Sequence, residues 1–198
     1  MSADLAFAQS MRSEDHFHPG QDARLLMGAF FPADPGELAT DLSKVTSLFY
    51  GLLLQVMSEQ MGAHAVDRAS RALFYRLGRA KTRATRAQHA STPIFHGDVR
   101  DLVALLISAI YNASPEYVFH VEHYDERLCS VRLSGVDRYY RAAESLGLVD
   151  QLTWPTLHPF FEGIRDELGI DCDVRSELLQ RHSDARLVTR YTFQMRGV

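Results

Sequence analysis

One cluster in the chain has the residue types of acid–base or metal chemistry: His120, Glu122 and His123. Side chains two apart on a strand share a face, so His120 and Glu122 point together and His123 points away unless the strand ends there. Such a pair supports a general-base histidine oriented by Glu122, or two ligands of a zinc or iron site completed by His96 or His158. Cys129 extends the cluster, because a turn centred on Asp125 and Glu126 sets it across a hairpin from Glu122 with His120 on the diagonal, a His/Cys arrangement for nucleophilic chemistry. The plainer reading is a polar, solvated strand face. These residues by themselves assign no metal and no other cofactor, and the candidate ligand-binding residues of this hairpin are His120, Glu122 and Tyr124.

Two further groups are suggestive. Trp154, the single tryptophan, precedes Pro155 and lies close in sequence to His158, Phe160 and Phe161, a grouping that suits an aromatic pocket for an organic ligand as well as ordinary core packing. Between residues 63 and 97 Asp67 is the only acid, while Arg68, Arg71, Arg76, Arg79, Arg83 and Arg86 recur at helical spacing with Tyr75 among them. A stripe of cations invites a phosphate, a carboxylate, an acidic protein surface or nucleic acid. Tyr75, Arg79 and Arg83 are the candidates there. Nucleic acid is possible but not favoured, since the net charge is −4 and no aromatic stacking platform accompanies the stripe. No phosphate loop, dinucleotide fingerprint, serine nucleophile elbow or zinc-hydrolase helix motif occurs. The two cysteines, Cys129 and Cys172, are too few for a disulfide framework and read as small buried hydrophobes. His16 and His18 read as solvated.

The elements that must carry these residues follow from periodicity. Residues 1–36, with three of the seven prolines, read as an arm with at most a short element around Ala23 to Phe31, and residues 37–198 as one α+β domain. Leu42 to Met61 is apolar around most of a helix, leaving a polar strip of Lys44, Ser47, Gln55 and Ser58, so it must be covered by this chain or by a partner subunit. Gly62 stops it, and a second helix follows whose face of Val66, Ala69, Leu73, Leu77, Ala80, Ala84 and Ala87 would pack on the first. A loop through Pro93, Phe95 and Gly97 leads to a third helix capped by Asp98. The remainder reads as a hairpin around Tyr124 to Arg127, a short helix from Val136, a helix capped by Thr156, and a second hairpin turning at His182 to Asp184. This order predicts a four-stranded antiparallel sheet backed by helices.

The run LHPFFEGIRDELGIDCDVRSELLQRHSDARLVTRYTFQM resembles the end of the vinyl-reductase-like small-molecule-binding domains. The helix, hairpin, helix, hairpin order from Asp98 onward is similar to the haem nitric-oxide-binding domains and to trafficking-complex subunits of the same general architecture. The resemblance covers roughly residues 65–198. It implies a fold that encloses a small organic ligand between helices and sheet, acting as a sensor or regulatory domain in signalling, and a surface that forms a homodimer. The haem relatives' histidine has no counterpart in Asp98 to Asn112, and the thiolate that the vinyl-reductase-like domains carry in the last strand is replaced by the run Val188, Thr189, Arg190, Tyr191. A small hydrolase or lyase built on His120 with Glu122 or Cys129, and anion or nucleic-acid binding through the arginine helix, are the alternatives. The N-terminus has neither the basic start nor the apolar centre of a secretory signal and no apolar run reaches the roughly 18 residues of a membrane span, so a cytoplasmic protein with no membrane contact is expected.

Overall fold

A computed structural model describes residues 3–89 and 95–197; Pro93 lies outside the described residues. The arm holds two helices, α1 (Ala3–Met11) and α2 (Ala23–Phe30), one more than its sequence pattern predicts. They pack on each other, with Phe7 against Phe31 at 5.7 Å. Asp34 caps α3 (Pro35–Met61) by accepting from the Glu37 amide at 2.9 Å, and Gly62 separates α3 from α4 (Ala63–Gln88). The helix α5 (Arg100–Ala113) follows, then β1 (Tyr117–Tyr124), β2 (Leu128–Val136), α6 (Arg138–Ser145), a single 3-10 turn at Val149–Gln151, α7 (His158–Leu168), β3 (Cys172–Arg181) and β4 (Arg186–Met195). The sheet is antiparallel in the order β1-β2-β4-β3, so each hairpin contributes two neighbours and β2 joins β4 at the centre.

Alternation along the strands divides the sheet into a dry and a wet face. Cys129, Val131 and Leu133 of β2, with Leu187, Tyr191 and Phe193 of β4, point inward and are buried. The helices α5 and α7 cover them, and Phe161 of α7 meets Tyr191 and Phe193 at ring distances of 4.6 and 5.2 Å. Tyr117 and Phe119 of β1 share this face. Asp98 does not cap α5. It takes the Arg100 amide and guanidinium instead, and the buried Asp101 carboxylate accepts the His96 and Gly97 amides at 2.7 and 2.8 Å, which turns the chain into the helix. Asp137 does cap α6, accepting from the Tyr140 amide. The side chain of Thr156 makes no cap bond to α7; its buried hydroxyl has no partner among the described residues.

The helical half departs from the sequence pattern in the faces it buries. The helix α3 turns Ser43, Ser47, Tyr50, Gly51 and Leu54 inward, and its leucine-rich side stays in water. The helix α4 buries Ala65, Val66, Ser70, Phe74, Gly78, Thr82 and Thr85, leaving Leu73 and Leu77 exposed rather than packed on α3. Aromatic geometry selects these faces. Tyr50, Phe74 and Tyr139, one each from α3, α4 and α6, pack ring against ring at 5.0 to 5.5 Å, and the Tyr50 hydroxyl bonds to the Ser70 hydroxyl at 2.7 Å. The crossing of α4 on α7 is closer still and is built on Gly78 and Gly163. A Cβ at Gly78 would lie 2.0 Å from the Phe160 carbonyl oxygen, and one at Gly163 would lie 2.1 Å from that of Tyr75.

Candidate ligand pocket

Where α4, α5, α7 and the start of α6 meet the edge of the sheet, they leave a cavity of ≈ 140 Å³. Its walls are apolar: Leu77 of α4, Leu106 and Ile110 of α5, Leu157, Phe160 and Phe161 at the start of α7, and Leu133 of β2. Polar side chains interrupt them: Lys81, Asn112, Ser114, Tyr117, Arg138 and Tyr139. Mostly apolar walls with a few convergent polar groups are the usual make-up of a small-molecule site.

The polar end is organised by Arg138. Its position follows from local structure, because the Asp137 cap fixes the first turn of α6 directly after β2 and carries the guanidinium inward over the end of α5. The side chain is only 11% exposed. It donates to the Ala113 carbonyl and the Ser43 hydroxyl, and to the Tyr139 hydroxyl at 2.9 Å; Glu116 is its counter-charge at 3.7 Å and also accepts from Ser43. The guanidinium also lies 4.8 Å from the Tyr139 ring centre, a cation–π distance. Nε of Arg138 has no partner among the described residues. Nor, among the described residues, has the hydroxyl of Tyr117, a residue 8% exposed that lies near the buried Asp137 carboxyl. Burial pushes the Tyr117 hydroxyl well above its ordinary range, so it is a neutral donor at physiological pH. Burial lowers Lys81, and among the described residues it forms no ion pair. Buried donors without acceptors cost about 1–3 kcal/mol each, a cost that an acceptor-bearing ligand would remove.

The sequence-predicted residues lie elsewhere. His120 and Glu122 are on the wet face of the sheet. There Arg132, Arg190 and Glu177 line up with His120 in one cross-strand row, and Glu122 binds Arg190 at 2.8 Å and Arg132 at 3.6 Å. The Arg190 hydrogen bond is the main reason that the Glu122 carboxyl is held below its usual range. A bulge between Val121 and His123 re-registers the hairpin, so Cys129 pairs with Tyr124 and not with Glu122, and its side chain is on the dry face. The His120–Cys129 arrangement is thereby corrected. Tyr124 is exposed. His158 bonds to the Ser176 hydroxyl at 2.9 Å and faces Glu162 at 3.5 Å, and burial lowers its pKa. Trp154 packs on Tyr140 at 4.9 Å and donates to the Val149 carbonyl. Arg79 and Arg83 both bind Glu167 of α7, at 2.8 and 3.1 Å, and Tyr75 binds Asp166 at 2.8 Å. The arginine stripe is thus partly neutralised by this chain's own acids.

The polar pocket residues gave little signal in the sequence. Lys81 is one of two lysines and sits in an arginine-rich helix, which is a weak pointer. Arg138 and Tyr117 are ordinary in their local patterns. Among the described residues no group of three His, Cys, Asp or Glu side chains is arranged to hold a metal, and the cavity lining contains no histidine, cysteine or methionine. A haem held through histidine does not fit it.

Both cysteines are fully buried, and burial raises both thiols to about 11. Thiolate is the reactive form, so iodoacetamide at pH 8 should leave the native protein unmodified for hours and alkylate both cysteines in denaturant, as read by intact mass. Rapid native modification at Cys129 would show that the first hairpin opens.

No family model matches the sequence, and no curated protein matches it. One solved structure, from work probing the function of haem distortion in the H-NOX family, is similar at 11% identity over 98% of this chain and 85% of that chain, with a TM-score of 0.39. A score that low supports no functional transfer.

Proposed function

We propose that the protein is a small-molecule-binding domain of the sensor or regulatory type, and that its ligand is a compact organic anion enclosed between α4, α5, α7 and the sheet. The observation that carries this reading is the pairing of an apolar cavity with two buried donors that have no partner among the described residues, Arg138 Nε and the Tyr117 hydroxyl. A cavity of about 150 Å³ accommodates a benzene ring. The ≈ 140 Å³ here therefore suits a single-ring or short-chain carboxylic acid and is far too small for a tetrapyrrole. The ring would lie against Leu77, Leu106, Ile110 and Phe160, and the carboxylate would accept from Arg138 and Tyr117 with Lys81 supplying further positive charge. The homodimer and the signalling role expected from the sequence are part of the same proposal.

A thermal-shift comparison of benzoate with the neutral, nearly isosteric benzamide tests it. Ligand at about 100 times its Kd stabilises by about 2.7 kcal/mol, which for a chain of this size raises Tm by roughly 5–10 °C. Benzoate should give such a shift and benzamide a much smaller one. Equal shifts, or none with any small aromatic or aliphatic acid, would remove the anion from the proposal.

A further inference from the structure

The outward side of α3 carries Leu42, Val45, Phe49, Leu52 and Val56 at alternating intervals of three and four residues, the spacing of a coiled-coil seam, with Leu48 and Leu53 beside them. Each of these seven side chains leaves between 44% and 70% of its surface in water. Together they expose on the order of 700 Å² of apolar surface, above the roughly 300–600 Å² of the largest patch on an ordinary monomer and close to the about 800 Å² that each partner contributes to a standard interface. The opposite side of the helix already packs on α4 and α6. The arm does not cover the seam, since α1 and α2 pack chiefly on one another.

We infer that α3 pairs with α3 of a second copy of this chain across a two-fold axis. Its residues are apolar along five successive seam positions with no charge among them, so the surface is complementary to itself, as a two-fold interface requires. The borders of the seam argue against a bilayer. They carry Glu37, Asp41 and Glu59 against the single Lys44, whereas a helix lying on a membrane is bordered by cations. This inference assigns the surface for the homodimer and makes no use of the pocket.

Sedimentation of the full chain at about 10 µM tests it. The wild type should run at twice the 22.4 kDa chain mass, and Phe49→Glu with Leu52→Glu should run as a monomer with an unchanged circular dichroism spectrum, because both side chains are exposed in the protomer. Two buried carboxylates at the centre of the seam should weaken association by at least about a thousandfold. A monomeric wild type at 100 µM, a dimer that survives the double substitution, a dimer lost on Arg79→Glu with Arg83→Glu but not on the α3 change, or capture of the monomer by phosphatidylcholine vesicles would each overturn the assignment. The benzoate shift, measured on the wild type, judges the pocket separately: its absence with the α3 dimer intact counts against the pocket alone.

Discussion

Gly78→Ala should lower the unfolding free energy by about 3 kcal/mol, near the upper end of what overpacking of a tight core usually costs, and drop Tm by roughly 6–12 °C. A single methyl has this effect because its neighbours are backbone. The new Cβ would lie 2.0 Å from the Phe160 carbonyl oxygen and 2.9 Å from its carbon, and neither can rotate away. The loss comes after the roughly 1 kcal/mol that alanine gains over glycine inside a helix. Gly163→Ala should behave alike, since its Cβ would meet the Tyr75 carbonyl oxygen at 2.1 Å from the other side of the same crossing. The double variant should cost clearly less than the sum, because the helices need separate only once. Gly28→Ala is the control: nothing lies within 4 Å of its Cβ, so stability should hold or rise slightly. A Gly78→Ala protein that melts with the wild type would mean that α4 and α7 do not cross this closely in solution. The crossing also forms one wall of the pocket through Leu77 and Phe160, so a destabilised crossing should loosen ligand binding as well.

The second large effect concerns Arg138. Replacement by methionine keeps the apolar stem and removes the guanidinium, leaving Glu116 with only Ser43 among the described residues. Hydrogen bonds to a charged group contribute about 1.5–3 kcal/mol, so the preference for benzoate over benzamide should fall by roughly 10- to 100-fold, while stability drops by about 1–3 kcal/mol. Tyr117→Phe separates the two effects. Removing a buried hydroxyl that has no partner among the described residues should leave Tm unchanged or slightly raised and still weaken benzoate. Calorimetric titration of both variants decides the matter: if benzoate binding is unchanged in each, no anion binds at this end of the cavity.

These predictions rest on contacts that the sequence encodes unevenly. The order of elements is local information. Gly62 between two long helical periods, and period-two runs around Tyr117–Val121 and Leu187–Met195, each act within a few residues, so they can be read before any folding. The dry and wet faces of both hairpins follow from the same alternation, because a strand has only two faces.

A helix offers a continuum of faces, and there the sequence alone is insufficient. Hydrophobicity points the leucine side of α3 and the alanine side of α4 toward the core. The folded chain instead buries Ser43, Ser47 and Ser70, because Tyr50, Phe74 and Tyr139 interlock and Gly78 lets α7 approach. Apolar pattern specifies that a surface will be covered, not by what. The first hairpin shows the same limit on a smaller scale, since one bulge after Val121 moves Cys129 from opposite Glu122 to opposite Tyr124. The pocket is the extreme case. Lys81, Asn112, Tyr117 and Arg138 come from four different elements, and none is unusual among its neighbours in sequence. Their convergence, and with it the placement of polar groups at one end of an apolar cavity, exists only once the helices have closed over the sheet.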